Sequence, residues 1–516
     1  MTNASSTFRA LVIYALVLPV ALVVGYMVAV PADLFSMGTV GLVLAVLITP
    51  LLLRYHHPLL FLSWNMSAVI FFLPGHPEFW VVMAFVSLII SIVQRTIVSQ
   101  MRFVTVSWIL LPLMFLLAVV CVTARLTGGI GLNSLGADTI GGRRYIYIFA
   151  AIAGFLAMAA RRIPPEKVRF YVGLYFLAEL TNFIGTTAPW APPWLYYLYV
   201  VFPVDFTSFT FASPGQPWGH EAVTRLYGAS VAALGACNYL LARFGVRGLL
   251  EGGHLRRLVL FVVLAILSLL GGFRTFLILL SMTVFFAFYF ERMFRPKYLI
   301  AMALLGILGA ALVIPLANKL PISMQRALSF LPLDIGLEAR ESAQTTVEWR
   351  LQMWEDLLPE IPKYLLVGKG LAIDAKELAA AEAVRGLGES ESGTILVGDY
   401  HSGPLSVIIP FGVFGMLGFI WLMAAIGRAL YLNHRFGDPA LQSVNTLLFV
   451  LFLARVVVFI VIFGGFYTDL AHFLGLAGLS IAINGGVHRP ERVEKVTKPI
   501  PLRIRPAVRH IPEMAR

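Results

Sequence analysis

Runs of about twenty mostly apolar residues follow one another along nearly the whole chain, separated by short polar connections. That length is what an α-helix needs to cross the roughly 30 Å hydrocarbon core of a bilayer. Lipid offers the backbone no hydrogen-bond partner, so a chain patterned this way is restricted to spanning helices that pair their amides internally. Composition agrees: 59% of the 516 residues are hydrophobic and 13% are charged, against about a quarter charged in soluble domains. The pattern predicts an all-α polytopic membrane protein. Spans are expected near 8–30, 35–53, 58–74, 79–93, 103–124, 144–160, 169–187, 223–242, 257–271, 273–290, 298–316, 403–424, 444–464 and 469–484, about fourteen in all. The first run is long for a signal peptide and no small-residue cleavage site follows it, so it reads as a retained helix. WLYYLYVVF at 194–202 is too short to cross and reads as interfacial or re-entrant, its rings at headgroup depth. Cys121 and Cys237 fall in apolar runs and read as small buried hydrophobes without a disulfide.

The net charge of +12 would suit nucleic acid, but its distribution argues against such a partner. Residues 317–402 hold eight Lys/Arg and thirteen Asp/Glu, so the basic excess sits in short connections and in the tail. This is the positive-inside pattern. The basic loops 94–102, 161–169, 243–257 and 291–297 are expected in the cytoplasm with both termini, and the acidic 317–402 segment on the outer face. The chain then divides into an N-terminal bundle at 1–316 (about eleven helices), the large outer loop at 317–402, C-terminal helices at 403–484 and a basic tail at 485–516.

Within the outer loop, Val347, Leu351, Trp354 and Leu358 recur at helical spacing over 345–362 and predict a helix with one apolar face, ended by Pro359 and Pro362. Residues 374–386 are a second helix candidate, rich in Ala and Glu and stopped by Gly386. Four residues share that side of the membrane at nearly one depth. Arg350 lies on the loop helix, Arg274 and Arg225 each begin a span at its outer end, and His401 directly precedes the span after the loop. Arginine grips a diphosphate with a planar fork that stays charged. A neutral imidazole can take a proton from a hydroxyl nucleophile. Arginines plus one base at the outer leaflet therefore suit displacement of a lipid diphosphate by a sugar hydroxyl. Singly, each arginine also reads as a snorkelling anchor and the histidine as a structural one.

Two charges lie near mid-span, Glu179 and Arg455. An unpaired charge there costs roughly 2.5–3.5 kcal/mol on insertion scales, so they are expected to pair with one another or to line a polar substrate cavity. Asp469 and His472 open the last span on the outer side, as supports of the site or as helix caps. No metal site is expected: the outer loop has no Asp-x-Asp, ESES at 389–392 reads as a solvated loop, and YHHP at 55–58 as a short cytoplasmic connection. VGKG lacks the remaining Walker spacing.

The stretch EWRLQMWEDLLPEIPKYLLVGKGLA (348–372), followed by YHSGPLSVIIPFGVFG (400–415), resembles the signature of the O-antigen ligase and polymerase superfamily. The matching positions are Arg350 and Trp354 in an Arg-x-x-x-Trp helix, Gly368 and Gly370, the pair His401–Ser402, and Gly412 and Gly415. RLYGAS and GFRTFLI resemble two earlier arginine motifs of that family, and 126–145 resembles an outer loop of its polymerase-like members. The family often carries a Glu two residues before the first of the later glycines, where this chain has Pro410. The resemblance implies a GT-C-type glycosyltransferase of the bacterial inner membrane that takes glycan from undecaprenyl diphosphate on the periplasmic side, without a cofactor or metal. Ligases pass the glycan to lipid A–core, and polymerases pass it to another lipid-linked unit. By the same resemblance His401 would be the base or the acceptor-orienting group, and Arg350 and Arg274 would hold the diphosphate, with Arg225 a weaker candidate. Arg225 and Trp354 belong with the substrate-binding positions, as do Glu179, Arg455, Asp469 and His472 if the cavity reading holds. Partners would be the lipid-linked donor, the glycan or lipid A–core acceptor, membrane lipids, and other assembly proteins such as a chain-length regulator or a flippase.

A transporter or flippase of the same lipid-linked glycan is the competing reading, and a scaffold for an export machine a third. A structured outer cap ending in a histidine favours the transferase, and a transporter would more plausibly show repeated halves. The 126–145 loop tilts the choice of acceptor towards polymerase.

Overall fold

A computed structural model describes residues 17–19, 21–23, 25–26, 34–73, 75–97, 103–104, 106–131, 139–209, 225–251, 253–374 and 398–488. The first expected span is therefore largely outside the described residues. So are the helix candidate beyond Asp374, the ESES segment, 132–138 of the 126–145 loop, and the tail from 489.

The main helices are α1 (Leu34–Trp64), α2 (Phe79–Ile97), α3 (Ser107–Thr127), α4 (Gly142–Met158), α5 (Val168–Leu177), α6 (Tyr227–Leu250), α7 (Leu255–Leu267), α8 (Arg274–Phe290), α9 (Pro296–Leu316), α10 (Ile322–Leu328), α11 (Leu337–Leu357), α12 (Gly403–Phe436), α13 (Gln442–Val457) and α14 (Phe466–Asn484). The protein is an all-α polytopic membrane protein. Among the described residues seven helices are long and apolar enough to cross a membrane: α2, α3, α6, α9, α12, α13 and α14, the ninth and thirteenth counted with their flanking turns. α4 packs between α14 and α2, α12 lies against α3, α13 and α14, and α13 bridges α6 and α8. Close contact rests on small residues: Gly154 of α4 and Gly475 of α14 both abut the indole of Trp64, which donates to the Ala471 carbonyl.

Several expectations need correcting. The spans at 35–53 and 58–74 are not two helices, since α1 runs unbroken from Leu34 to Trp64 through Pro50 and Pro58. Residues 65–73 and 75–78 form no helix, and a Val69–Glu78 bridge and a bond from the Phe79 amide to the Ala68 carbonyl hold them together. YHHP is accordingly inside a helix. His56 Nδ1 is 2.8 Å from the Ser87 hydroxyl, and His57 bonds the Met158 carbonyl at 3.1 Å. The span at 169–187 breaks after Leu177 into a 3-10 turn, Ala178–Thr181, that carries Glu179. Of the two cysteines Cys237 is buried but Cys121 is exposed, and both are free. The 194–202 segment does not cross; it forms a 3-10 helix, Pro193–Val200, with Trp194 and Tyr197 exposed.

The 317–402 loop is built differently from its apolar pattern. α11 starts at Leu337, well before 345, and ends at Leu357 just ahead of Pro359. Val347, Leu351 and Leu358 are exposed, while Ala339, Ala343, Met353 and Leu357 are buried. The inward row contains two alanines and Arg350, and of the four apolar positions expected to face inward only Trp354 does so. The loop is tied down by two fastenings. One is a two-residue antiparallel pairing, Thr139–Ile140 with Ile373–Asp374. The other is a splice into α12. Gly412 takes a left-handed φ of 64° and breaks α12 into two pieces, and Pro410 has no amide to donate. The carbonyls of Ile409 and Pro410 accept instead from the amides of Lys369 and Gly370, and the Val413 amide donates to Leu365.

Candidate functional site

α12 begins at Gly403, and His401 stands two residues before it. Trp354, one helical turn after Arg350 on α11, donates its indole N–H to the Tyr400 carbonyl at 3.0 Å. Met353, Leu357, Tyr400, Leu405 and Ile409 bury themselves around that bond. On the other flank, Gly403 sits so close to the π-helical turn Val458–Ile462 that a Cβ would stand 2.2 Å from the Phe459 carbonyl oxygen. Between these two clamps the chain turns at His401 with a φ of 47°, a conformation that non-glycine residues adopt rarely and mostly where tertiary structure imposes it.

The imidazole is held between two rings. Trp349 meets it edge-on and Phe463 at a tilt, each with centroids 5.1 Å away. Asp399 Oδ1 lies 3.6 Å from Nδ1, beyond hydrogen-bond length, and that nitrogen is buried without a hydrogen-bond partner. Burial pulls the pKa of His401 below its ordinary value, Asp399 opposes this, and Arg350 adds to it. The ring is therefore neutral near pH 7, as a base must be.

Arg350 shares the Phe463 ring with His401, its guanidinium carbon 5.4 Å from the centroid. One Nη reaches the Ile462 carbonyl at 3.4 Å, while Nε is buried with no partner. Burial lowers its pKa, the nearby Arg274 lowers it further, and Asp399 opposes. Arg274, the first residue of α8, donates to the Ala343 carbonyl of α11 and so pins the loop helix to the bundle. Two guanidiniums thus approach one another beside a neutral imidazole. Like charges repel, and an anion between them relieves that repulsion. Arg225 lies over the Phe273 ring next to Arg274, 5.6 Å from its centroid, with its pKa lowered by burial.

The other four candidates form a separate group deeper in the bundle. Arg455 on α13 is within electrostatic reach of Glu179, Asp469 and His472. Glu179 and Arg455 make no ion pair within 4.0 Å among the described residues, so direct pairing is not what the structure forms. Asp469 accepts from the Gly465 amide at 2.8 Å, the capping role open to it, and lies 4.0 Å from His472. Their side chains keep 24% and 41% of their accessible surface although α14 is mostly buried.

Sequence reasoning passed over Asp399, Trp349 and Phe463. Asp399 was legible as an acid two residues before the histidine. The two aromatic rings carried no signal, because only the folded loop brings α11 and the π turn to His401. Arg144 was also missed; it covers the Tyr467 ring at 5.2 Å and lies near Tyr400, whose hydroxyl is pushed by burial up to about 12.

Fold and site define a class: a polytopic helical membrane protein with a fastened cap that presents arginines and a neutral histidine at one end of the bundle. Residues 232–420 match the family model described as O-antigen ligase. That region, from α6 into α12, supports the likeness to the O-antigen ligase and polymerase superfamily. The match includes Arg274, Arg350, Trp354 and His401, and leaves out Arg225, Glu179, Arg455, Asp469 and His472. No curated protein matches the chain.

Proposed function

We propose that this protein, which has an O-antigen ligase or polymerase type of function, transfers glycan from an undecaprenyl-diphosphate donor to a sugar hydroxyl at the periplasmic face of the inner membrane. The acceptor oxygen bonds to the anomeric carbon as the bond from that carbon to the diphosphate oxygen breaks. The free nitrogen of His401, Nε2, takes the hydroxyl proton, and the diphosphate leaves with the bonding electrons. Arg350 and Arg274 stabilise the charge that develops on it, with Arg225 behind them. The observation that carries this reading is the convergence of Arg350, Arg274 and a neutral His401 on the cap side of Phe463. The deeper group around Arg455 fits the path of a lipid-linked substrate.

A second lipid-linked unit is the acceptor we favour, on the likeness of the 126–145 loop to polymerase-like members; lipid A–core is the alternative, and a flippase role the competing class. The positive-inside loops support cytoplasmic termini and a periplasmic cap. A glycan gel from a host lacking the gene separates these readings. Wild type should restore a ladder and His401→Ala, at equal membrane level, should leave single lipid-linked units. Long lipid-linked chains that fail to reach lipid A–core would mean a ligase. Full restoration by His401→Ala would remove the histidine from the chemistry.

A further inference from the structure

At the end of the bundle away from the cap, a cavity of about 900 Å³ opens between the ends of α6, α8 and α12 and the start of α13. The reading of His401 makes no use of it. Three arginines line it: Arg247, Arg292 and Arg435. Arg292 and Arg435, far apart in sequence, both lie within electrostatic reach of one buried imidazole, His434. Neither has an ion-pair partner among the described residues. Of the lining carboxylates, Glu291 lies within electrostatic reach of Arg247, whose guanidinium also donates to the Glu291 backbone carbonyl at 2.8 Å. Glu291 accepts from the amides of Val246 and Arg247 at 2.9 and 2.8 Å, capping the break in α6 at Gly245. Glu251 is the one lining carboxylate left uncommitted. A lone exposed arginine is ordinary surface. Three arginines against two carboxylates in one concavity, with Arg292 brought beside the His434–Arg435 pair, form a site with excess positive charge.

Backbone geometry adds an independent observation. Arg292 adopts a φ of 54°, one of three non-glycine residues in the left-handed region among the described residues, His401 being another. It occupies the turn that closes α8, where the Met293 amide donates back to Phe288. Glycine fits such a helix-ending position without strain. Here the position carries a guanidinium that the turn aims at the cavity. Exposed rings rim the opening, Tyr289, Phe294 and Tyr431, as aromatics do at headgroup depth.

We propose that this cavity binds a phosphoryl anion, gripped by the forks of Arg292 and Arg435 with Arg247 beside them. An anionic lipid headgroup or a water-soluble phosphate would offer the same chemistry. The test uses the full-length protein in detergent, with dioctanoyl phosphatidic acid and inorganic phosphate as probes, read by native mass spectrometry. Wild type should bind at least one probe, and Arg292→Gln/Arg435→Gln should bind it at least about tenfold more weakly at an unchanged melting temperature. Arg292→Lys/Arg435→Lys should keep most of the binding. Arg340→Gln, which removes an exposed cation from the opposite end, should leave it unchanged. Binding of the lipid alone identifies a headgroup, and equal competition by inorganic phosphate identifies a soluble anion. Wild type that binds neither probe, or a glutamine pair that binds as tightly, overturns the proposal. Should the glutamine pair not fold, a photoactivatable phosphatidic acid on wild type decides it: labelling at 289–294 and 431–442 supports the site, and labelling only elsewhere refutes it.

Discussion

His401 can accept a proton only while its ring is neutral, so its surroundings set the acid limit of the reaction. Burial and Arg350 both lower its pKa from the ordinary 6.5, and Asp399 is the one nearby group that raises it. The acid limb of the rate should therefore lie below pH 6.5. Asp399→Asn removes the raising influence, so that limb moves to still lower pH. The same change removes the group that would orient Nδ1 once substrate draws the 3.6 Å gap shorter. The rate above the limb should consequently fall about tenfold or more, the low end of what positioned acid–base groups contribute. The check is turnover of a lipid-linked unit by purified protein across pH 4.5–8, roughly the range in which a histidine titrates. An acid limb that stays in place, or moves upward, would show that Asp399 does not act on His401. The residue pair was open to sequence reading, but the ring contacts that bury His401 were not, since Trp349 and Phe463 lie on either side of it in the chain.

Among the elements, the splice between the loop and α12 decides whether the site exists at all. Gly368 and Gly412 both have left-handed backbones, with φ of 83° and 64°. A Cβ on Gly368 would stand 2.1 Å from the Pro410 carbonyl oxygen, and one on Gly412 2.6 Å from that of Leu365. Neither neighbour can give way, because both are backbone groups of the splice. Alanine at either position should destabilise the protein by about 2 kcal/mol or more, the strain of an unsuitable backbone plus the clash. Gly306 in α9 is the contrast: a Cβ there meets nothing within 4 Å, and Gly306→Ala should be neutral or stabilising by up to about 1 kcal/mol. Melting temperatures of the three variants in one detergent test this, and equal loss in all three would mean the splice is not special. The motif glycines were readable in the sequence as glycines, yet their purpose was not. Hydropathy reads 403–424 as one uninterrupted span and gives no sign that a loop strand takes over its hydrogen bonds at Pro410. The same method misread part of the face of α11, since it takes Val347 and Leu351 as inward and both are exposed.

At the scale of the molecule, three helices run between the two charged regions. α8 begins at Arg274 and ends beside Arg292, α12 follows His401 and ends at His434 and Arg435, and α13 starts at the cavity and ends in the π turn under Arg350. Seventeen residues of α8 span about 26 Å, close to the thickness of a bilayer core, so these regions lie at opposite ends of the bundle. The alternation of apolar runs made the helices legible. It could not show that α1 is continuous, because a proline tolerated inside a membrane helix resembles a boundary. Nor could it separate the Arg455 group from the cap residues. Asp469 and His472 open a span, as Arg274 does, but the π turn sets them apart from the cap. Among the described residues Arg455 is the only cation within electrostatic reach of Glu179, yet no ion pair joins them. If the two charges share one wet internal space, each single replacement leaves the other charge without compensation, whereas the double replacement leaves none. Glu179→Gln and Arg455→Gln should each lower stability, and the double variant should lose less than their sum, with a coupling of about 1–2 kcal/mol, within the range for interacting residues. Thermal unfolding of the three variants measures that coupling, and transfer activity measured alongside it separates structure from substrate passage. Additive losses would mean the two charges are independent. Intact folding with lost transfer in Arg455→Gln would place that arginine on the substrate's path. Single variants that fold and transfer like wild type would remove the group from both roles.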